Sequence, residues 1–218
     1  TKIIKEITVA VKLDGNDIES NPRLRRAIEN AKSNNIPSDK ISRAIKKGAG
    51  NLDGVSYEDV TYEGYGPGGV AILIEAITDN KNRTVSDLRH IFSKHNGSLA
   101  ENGSVAWNFD KKGEIKVNRD EMTENSIIKI GIEVGAEDVY IENENFTIIT
   151  KPSDLMRIND LIMKKGCTIK SSELCMKPRT TQGVHEKESE SLVKLMNMLV
   201  ENDDVNKVFS NLDQTINS

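Results

Sequence analysis

Cysteines, aromatic residues and long apolar runs are all scarce in this chain of 218 residues. The two cysteines, Cys167 and Cys175, form no Cys-x-x-Cys pair and have no histidine at metal-ligand spacing, which predicts reduced thiols and no bound metal. The longest apolar runs, 70–74 and 127–132, are far shorter than a membrane-spanning helix. These absences predict a cytoplasmic protein with no membrane partner.

Aromatic residues make up only 4% of the chain, whereas charged residues make up 29%. This composition favours small α+β modules with aliphatic cores over a single large core. The length is sufficient for two or three such modules.

Motifs that are typical of enzymes are missing as well. The sequence contains no Gly-x-x-x-x-Gly-Lys-Ser/Thr loop and no Gly-x-Gly-x-x-Gly turn in front of a helix. No nucleophile is paired with a base, and Glu58, Asp59, Glu63, Asp203 and Asp204 are expected on solvated polar surfaces. We therefore predict that the chain is not an enzyme, with no catalytic residue and no cofactor.

Lysine and arginine are concentrated at the start of the chain. Residues 1–50 carry 11 of them against six acidic residues, a net charge of +5, whereas the rest carries 19 against 28, a net charge of −9. A basic segment on an acidic remainder predicts a polyanionic partner for that segment.

The basic segment has the periodicity of three amphipathic helices, which favours a small helical bundle. Asn21 and Pro22 are typical of a helix start, Ser38 is expected to cap the third helix, and residues 48–54 read as a linker. The candidate nucleic-acid-binding residues are Arg23, Arg25, Arg26, Lys32, Arg43, Lys46 and Lys47, extended by Arg83 and Arg89. Cations near a helix N-terminus are disfavoured, so the three arginines at 23–26 favour an external anion, whereas Lys46 and Lys47 also suit a helix C-terminus and a structural role stays open for them.

A turn with almost no side chains follows the first strand-like segment of the chain. Three of its four residues lack a Cβ, which lets another backbone or a polymer approach closely, although a tight hairpin explains the same residues. The candidate interface residues of this loop are Tyr62, Tyr65, Gly66, Pro67, Gly68 and Gly69.

The element order β-α-β-β-α-β over 113–182 predicts a ferredoxin-like domain. A strand at 70–77, a helix with a capping sequence at 84–87 and a strand at 104–109 predict part of a second such domain, which a helix and a strand in the tail complete. The fold class is therefore α+β, with an N-terminal helical bundle followed by two ferredoxin-like domains, one inserted in the other. The predicted domains are 1–54, 55–112 plus 183–218, and the insertion 113–182.

Several strings of this sequence resemble those of a known protein family. They include NPRLRRAIENAKSNNIPSDKISRAIKKG, YEGYGPGGVAILIEAITDNKNRT and GSVAWNFDKKG. In this order, across nearly the whole chain, they resemble the YebC/PmpR family, which includes mitochondrial translational activators. The resemblance implies the architecture above. It also implies a DNA-binding transcriptional regulator, or a ribosome-associated translation factor that relieves stalling at proline runs or activates translation.

Charge and resemblance together predict a nucleic-acid-binding regulator of gene expression, whose partner is DNA, ribosomal RNA or the ribosome. A protein-interaction adaptor with merely solvated basic helices is the alternative. The sequence leaves open the choice between these targets and the oligomeric state. It also leaves open whether the basic segment usual at the start of family members precedes Thr1.

Overall fold

The computed structural model describes residues 1–52 and 54–213. The chain forms two compact units, one made of Thr1–Asn108 with Pro178–Ser218 and the other of Phe109–Lys177. The first unit contains the predicted helical domain and all of the predicted split domain except residues 109–112, and the predicted domain boundaries stay predictions. Asp53 in the predicted linker and residues 214–218 at the end of the predicted split domain lie outside the described residues.

Seven helices and eight strands are assigned in the described part of the chain. In order they are α1 (Lys2–Asp14), α2 (Pro22–Ser33), α3 (Ser38–Gly48), β1 (Glu58–Tyr65), β2 (Ala71–Thr78), α4 (Lys81–Lys94), β3 (Ser98–Ala100), β4 (Phe109–Asn118), α5 (Glu124–Val134), β5 (Asp138–Ile141), β6 (Asn145–Thr150), α6 (Leu155–Lys164), β7 (Ile169–Pro178), α7 (Glu186–Glu201) and β8 (Val205–Ser210). None of the helices in residues 1–52 and 54–213 has both the length and the apolar character needed to cross a bilayer.

The first three helices form the predicted bundle. Their buried aliphatic residues include Ile7, Ala10, Leu24, Ala27, Ile28, Ala31, Ile41 and Ala44. Each helix is short, so burial of this shared apolar face rather than intrinsic propensity stabilises them.

Asn21 fixes the join between α1 and α2. Its buried side chain accepts a hydrogen bond from the Leu24 amide at 2.9 Å, which caps α2 as predicted. The same side chain donates to the carbonyl oxygens of Ala10 at 2.9 Å and Gly15 at 2.7 Å. Pro22 occupies the first turn, where its missing N–H costs nothing.

The sheet of the first unit has the strand order β3-β1-β2-β8. Its core includes Ile72, Ile74, Leu88, Phe92, Leu192, Leu195 and Leu199, so α4 and α7 pack on the sheet. The elements of this unit follow the chain order β-β-α-β-α-β rather than the predicted β-α-β-β-α-β, because β1 precedes β2 and pairs with it in a hairpin.

The predicted strand at 104–109 is wrong, because Ala106–Asn108 is a 3₁₀ turn and Phe109 begins a strand of the other sheet. Val105 and Phe109 are buried, but Trp107 is 64% exposed. The alternation of large apolar residues therefore did not mark one strand face. The position in the sheet that this strand was expected to fill is taken by β1.

Two predicted helix caps are also displaced. α4 begins three residues earlier than its predicted cap, because the Asn80 side chain accepts a hydrogen bond from the Arg83 amide at 3.0 Å. Thr84 instead lies buried inside the helix, where its hydroxyl donates to Asp204 at 2.9 Å. Ser38 is the first residue of α3 and makes no capping hydrogen bond.

The second unit contains residues 113–177 of the predicted insertion 113–182. Its strands have the order β5-β6-β4-β7, and α5 and α6 supply the helical residues of its core. The core includes Ile115, Val117, Ile127, Phe146, Ile148, Ile158 and Ile162. The fold class predicted from the sequence, α+β with a helical bundle and two four-stranded antiparallel sheets with helices, is confirmed.

The two asparagine caps provide a matched test of the Asn21 contacts. Asn80→Asp keeps the capping acceptor and should change the free energy of unfolding by less than about 0.5 kcal/mol. Asn21→Asp keeps its cap as well, but it loses both donated bonds and turns a carboxylate toward two carbonyl oxygens, so we expect destabilisation of about 2–3 kcal/mol. Urea denaturation measures both, and equal effects would contradict the role given to Asn21.

Candidate nucleic-acid interface

Five cations of the helical bundle have neither a carboxylate within ion-pair distance nor a hydrogen-bond or ring contact of their side chain among residues 1–52 and 54–213. They are Arg26, Lys32, Lys40, Arg43 and Lys46, which we call the outward cations. Arg26 is half-buried and the other four are exposed. Lys40 was not among the predicted residues, although the i, i+3 spacing puts it on the same side of α3 as Arg43.

Helix geometry explains why these side chains point outward. On α3, Ile41 and Ala44 are buried, so Lys40, Arg43 and Lys46 fall on the remaining arc of the helix. On α2, Leu24, Ala27, Ile28 and Ala31 are buried, and this leaves the positions of Arg26 and Lys32 outside the core. Because the outward cations form no ion pair with the described residues, their charge is available to an external anion.

Arg23 differs from the outward cations because its anions are internal. Its guanidinium donates to both carboxylate oxygens of Glu6, at 2.7 and 3.1 Å, and to both of Asp59, at 2.6 and 3.0 Å. Burial opposes its charge, but the hydrogen bonds to Asp59 and Glu6 raise the pKa of Arg23. The external anion expected from its place near a helix N-terminus is therefore replaced by two carboxylates, and Arg23 joins α1, α2 and β1.

Two further predicted cations contact their own unit. Arg25 donates to the carbonyl oxygens of Ile18 at 3.3 Å and Glu19 at 2.8 Å, which holds the segment between α1 and α2. The ammonium of Lys47 lies 4.9 Å from the centre of the Tyr57 ring, a cation–π distance.

Of the two predicted arginines on α4, Arg89 is exposed and has no ion-pair partner among the described residues, whereas Arg83 is paired. Arg83 Nη2 lies 2.7 Å from Asp79 and 2.9 Å from Asp204. Hydrogen bonds to these two carboxylates raise the pKa of Arg83.

Asp204 was expected on a solvated surface, and that expectation is wrong because the side chain is buried. It accepts hydrogen bonds from Lys5 at 3.0 Å, Arg83 at 2.9 Å and the Thr84 hydroxyl at 2.9 Å. Burial works against the charged form, but the hydrogen bonds from Arg83, Lys5 and Thr84 prevail and lower the pKa of Asp204. The adjacent Asp203 is exposed, as predicted.

Glu63 was also expected on a polar face and is buried instead. Its carboxylate accepts from the backbone amides of Gly103 at 2.7 Å, Val105 at 2.6 Å and Ala106 at 2.8 Å. Burial opposes ionisation, but these three amides lower the pKa of Glu63. No local pattern marks this role, because the partners lie about 40 residues away in the chain.

The glycine turn between β1 and β2 is packed against α7 of its own unit. A Cβ added at Gly66 would lie 2.8 Å from Leu192, and one at Gly68 would lie 2.7 Å from Val184 and 2.9 Å from Glu188. Tyr62 and Pro67 are buried, so within the loop Tyr65 and Gly69 are the exposed members. The close approach that these glycines were predicted to permit is thus made by the chain itself.

Two family models together match nearly the whole chain. Residues 1–51 match the model of the TACO1/YebC protein N-terminal domain, and residues 57–212 match that of the TACO1/YebC second and third domain. The chain belongs to the TACO1/YebC family. The resemblance predicted from the sequence strings is therefore confirmed.

The sequences of named relatives align with nearly all of this chain. A "Probable transcriptional regulatory protein" of Desulforapulum autotrophicum is 50% identical over 213 residues, 98% of this chain and 86% of that protein. One of Geotalea uraniireducens is 51% identical with the same coverage. The crystal structure of a conserved hypothetical protein from Aquifex aeolicus superimposes with a TM-score of 0.91 at 46% identity, covering 97% of this chain and 88% of that one.

Membership in this TACO1/YebC family, whose named relatives are called probable transcriptional regulatory proteins, confirms the prediction that the chain is not an enzyme. No group of three His, Cys, Asp or Glu residues in the described ranges is arranged to hold a metal ion.

The Asp204 contacts predict a pH-dependent stability. Because the folded-state pKa is lowered, the stabilisation is complete above the unfolded-state pKa of about 4 and is lost as the pH falls through the folded value. At neutral pH, Asp204→Asn should lower the free energy of unfolding by about 3 kcal/mol, since it leaves the buried Lys5 without its carboxylate and removes one of the two carboxylates of Arg83. This difference from wild type should shrink as the pH falls below about 4.

The neighbouring carboxylate is the control for this measurement. Asp203→Asn removes the same charge from an exposed position and should change stability by less than about 0.5 kcal/mol. Denaturation of all three proteins across the pH range gives the comparison. A deficit in Asp204→Asn that stays constant down to acid pH would contradict the ion-pair explanation.

Proposed function

We propose that this family member is a nucleic-acid-binding regulator of gene expression and that α2 and α3 carry its principal contact surface. The observation that carries the proposal is the set of outward cations on these two helices, which have no carboxylate partner in the described part of the chain. Arginine and lysine that are free of internal anions are the groups that neutralise phosphates and release counterions.

DNA is the target favoured by the relatives, since those named above are called probable transcriptional regulatory proteins. A cytoplasmic location is part of the same proposal. The roles of Arg23 and Arg83 in it are indirect, because both guanidinium groups are engaged by carboxylates that fix the unit on which the outward cations lie.

Ribosomal RNA is a second candidate target. The charge of the chain supports it: residues beyond 50 carry a net −9, which suits a protein that inserts only its basic helices into a polyanionic surface. Crosslinking in cells followed by sequencing of bound DNA and RNA separates the two targets. Discrete DNA fragments would support transcriptional control, whereas enriched ribosomal RNA would overturn DNA as the target.

The salt dependence of binding tests the contact surface. The triple variant Lys32→Ala, Arg43→Ala, Lys46→Ala should bind a labelled DNA duplex more weakly. Its slope of log affinity against log salt concentration should be less steep by about 1 for each phosphate that the variant no longer neutralises, up to about 3. Fluorescence anisotropy of the duplex at several salt concentrations measures both quantities.

A second triple variant supplies the matched control. Lys129→Ala, Lys151→Ala, Lys164→Ala removes three exposed lysines of the second unit, which also have no ion-pair partner among the described residues. This variant lowers the net charge by the same amount as the first triple variant, but it should leave the slope of log affinity against log salt concentration unchanged. If both triple variants lose affinity alike, the effect is one of overall charge and the assignment of α2 and α3 is wrong.

Arg23 should behave differently from the outward cations. Arg23→Ala should lower the free energy of unfolding by about 1–2 kcal/mol, because it leaves Glu6 and Asp59 without their shared, partly exposed partner. Lys32→Ala should leave stability within about 0.5 kcal/mol of wild type. Urea denaturation distinguishes them, and an unchanged stability in Arg23→Ala would make Arg23 a candidate for direct phosphate binding again.

A further inference from the structure

Trp107 is an exposed aromatic residue on a fixed piece of backbone. Its side chain is 64% exposed, although tryptophan is usually among the better-buried residues. The two residues that bracket its position, Val105 and Asn108, are 1% and 3% exposed. The exposure of Trp107 is therefore not the result of a loosely held loop.

The polar atom of Trp107 is already satisfied. Its indole N–H donates to the carbonyl oxygen of Ser104 at 2.9 Å. The hydroxyl of Tyr65, which extends from the end of β1 and is 39% exposed, lies 3.1 Å from the same oxygen and donates to it. Two rings are thus held side by side through one carbonyl, and what they offer to a partner is ring surface rather than hydrogen-bond donors.

The backbone that carries Trp107 is held by the Glu63 carboxylate, which accepts hydrogen bonds from the amides of Gly103, Val105 and Ala106. The side chain of Asn108, the residue after Trp107, accepts hydrogen bonds from the amide and hydroxyl of Thr180, both at 3.0 Å. A platform that is ordered before binding loses little conformational entropy when a partner docks.

Arg179 is attached to this turn through its backbone. The amide of Arg179 donates to the Asn108 carbonyl at 2.7 Å, which brings this exposed residue next to the turn that carries Trp107. An exposed aromatic face complements a nucleobase, which is itself a flat ring.

We infer that Trp107 and Tyr65 form a platform on which an unpaired nucleobase of a single-stranded nucleic acid stacks. The inference rests on the proposed function, since it names a second contact with the same class of partner. It also adds a preference that the outward cations cannot provide: phosphate contacts are similar in duplexes and single strands, whereas stacking on this platform requires a base released from its pair.

The single tryptophan of the chain allows a direct test, because its fluorescence reports on Trp107 alone. We expect an oligothymidine single strand to quench this fluorescence, and a duplex of the same length to leave it nearly unchanged. Trp107→Ala should weaken binding of the labelled single strand by about five- to 100-fold, the effect typical of removing one base stack. It should leave duplex affinity unchanged, and Trp107→Phe should retain most single-strand affinity.

Tyr140→Ala is the control, because Tyr140 is 50% exposed in the second unit and lies outside the platform. It should bind both probes like wild type. Single-strand binding that neither quenches Trp107 nor weakens in Trp107→Ala would overturn the platform while duplex binding still supports the proposed function. Failure of the wild type to bind either probe would overturn both.

Discussion

The buried Asp204 carboxylate is the interaction on which the first unit depends. It accepts from Lys5 on α1 and from Arg83 and Thr84 on α4, and its own backbone carbonyl accepts from the Ile77 amide of β2 at 2.8 Å. One residue near the end of the chain thereby fastens the first helix to the sheet and to its covering helix. A buried carboxylate is tolerated only when it is paired in this way, so these four partners and Asp204 form one interdependent set.

Internal contacts of this kind reduce the number of cations in the basic N-terminal segment that are available to an external anion. Counted from the sequence, it carries 11 cations, but Lys5 and Arg23 are held by carboxylates of the unit, and Arg25 and Lys47 contact carbonyls and a ring. The same residue types therefore serve two purposes, and the sequence alone does not separate them. Only the contacts distinguish a cation that holds the bundle in place from one that is free to meet a phosphate.

Most of the fold could be predicted because periodic apolar patterns determine it. The three helices of the bundle and the β-α-β-β-α-β order of the second unit follow from local residue spacing. The errors occur where a distant side chain decides the local structure. Glu63 binds the backbone of the segment predicted as a strand at 104–109, and Asp204 receives the Thr84 hydroxyl that was assigned to a cap. Neither partner lies within any window of sequence that periodicity can examine.

The candidate site was less predictable because distant side chains also decide which cations are paired internally. This pairing sets the number of cations that can contact phosphates. Lys5, Arg23 and Arg83 are committed to internal carboxylates, and if each of the five outward cations neutralises one phosphate, the salt slope on duplex DNA should be about −4 or −5. Such a number of phosphate contacts supplies attraction but no sequence or strand discrimination. Any selectivity must therefore come from groups other than these cations. Trp107 and Tyr65, which are exposed although the contacts around them are fixed, are the groups of the first unit that we propose for this role.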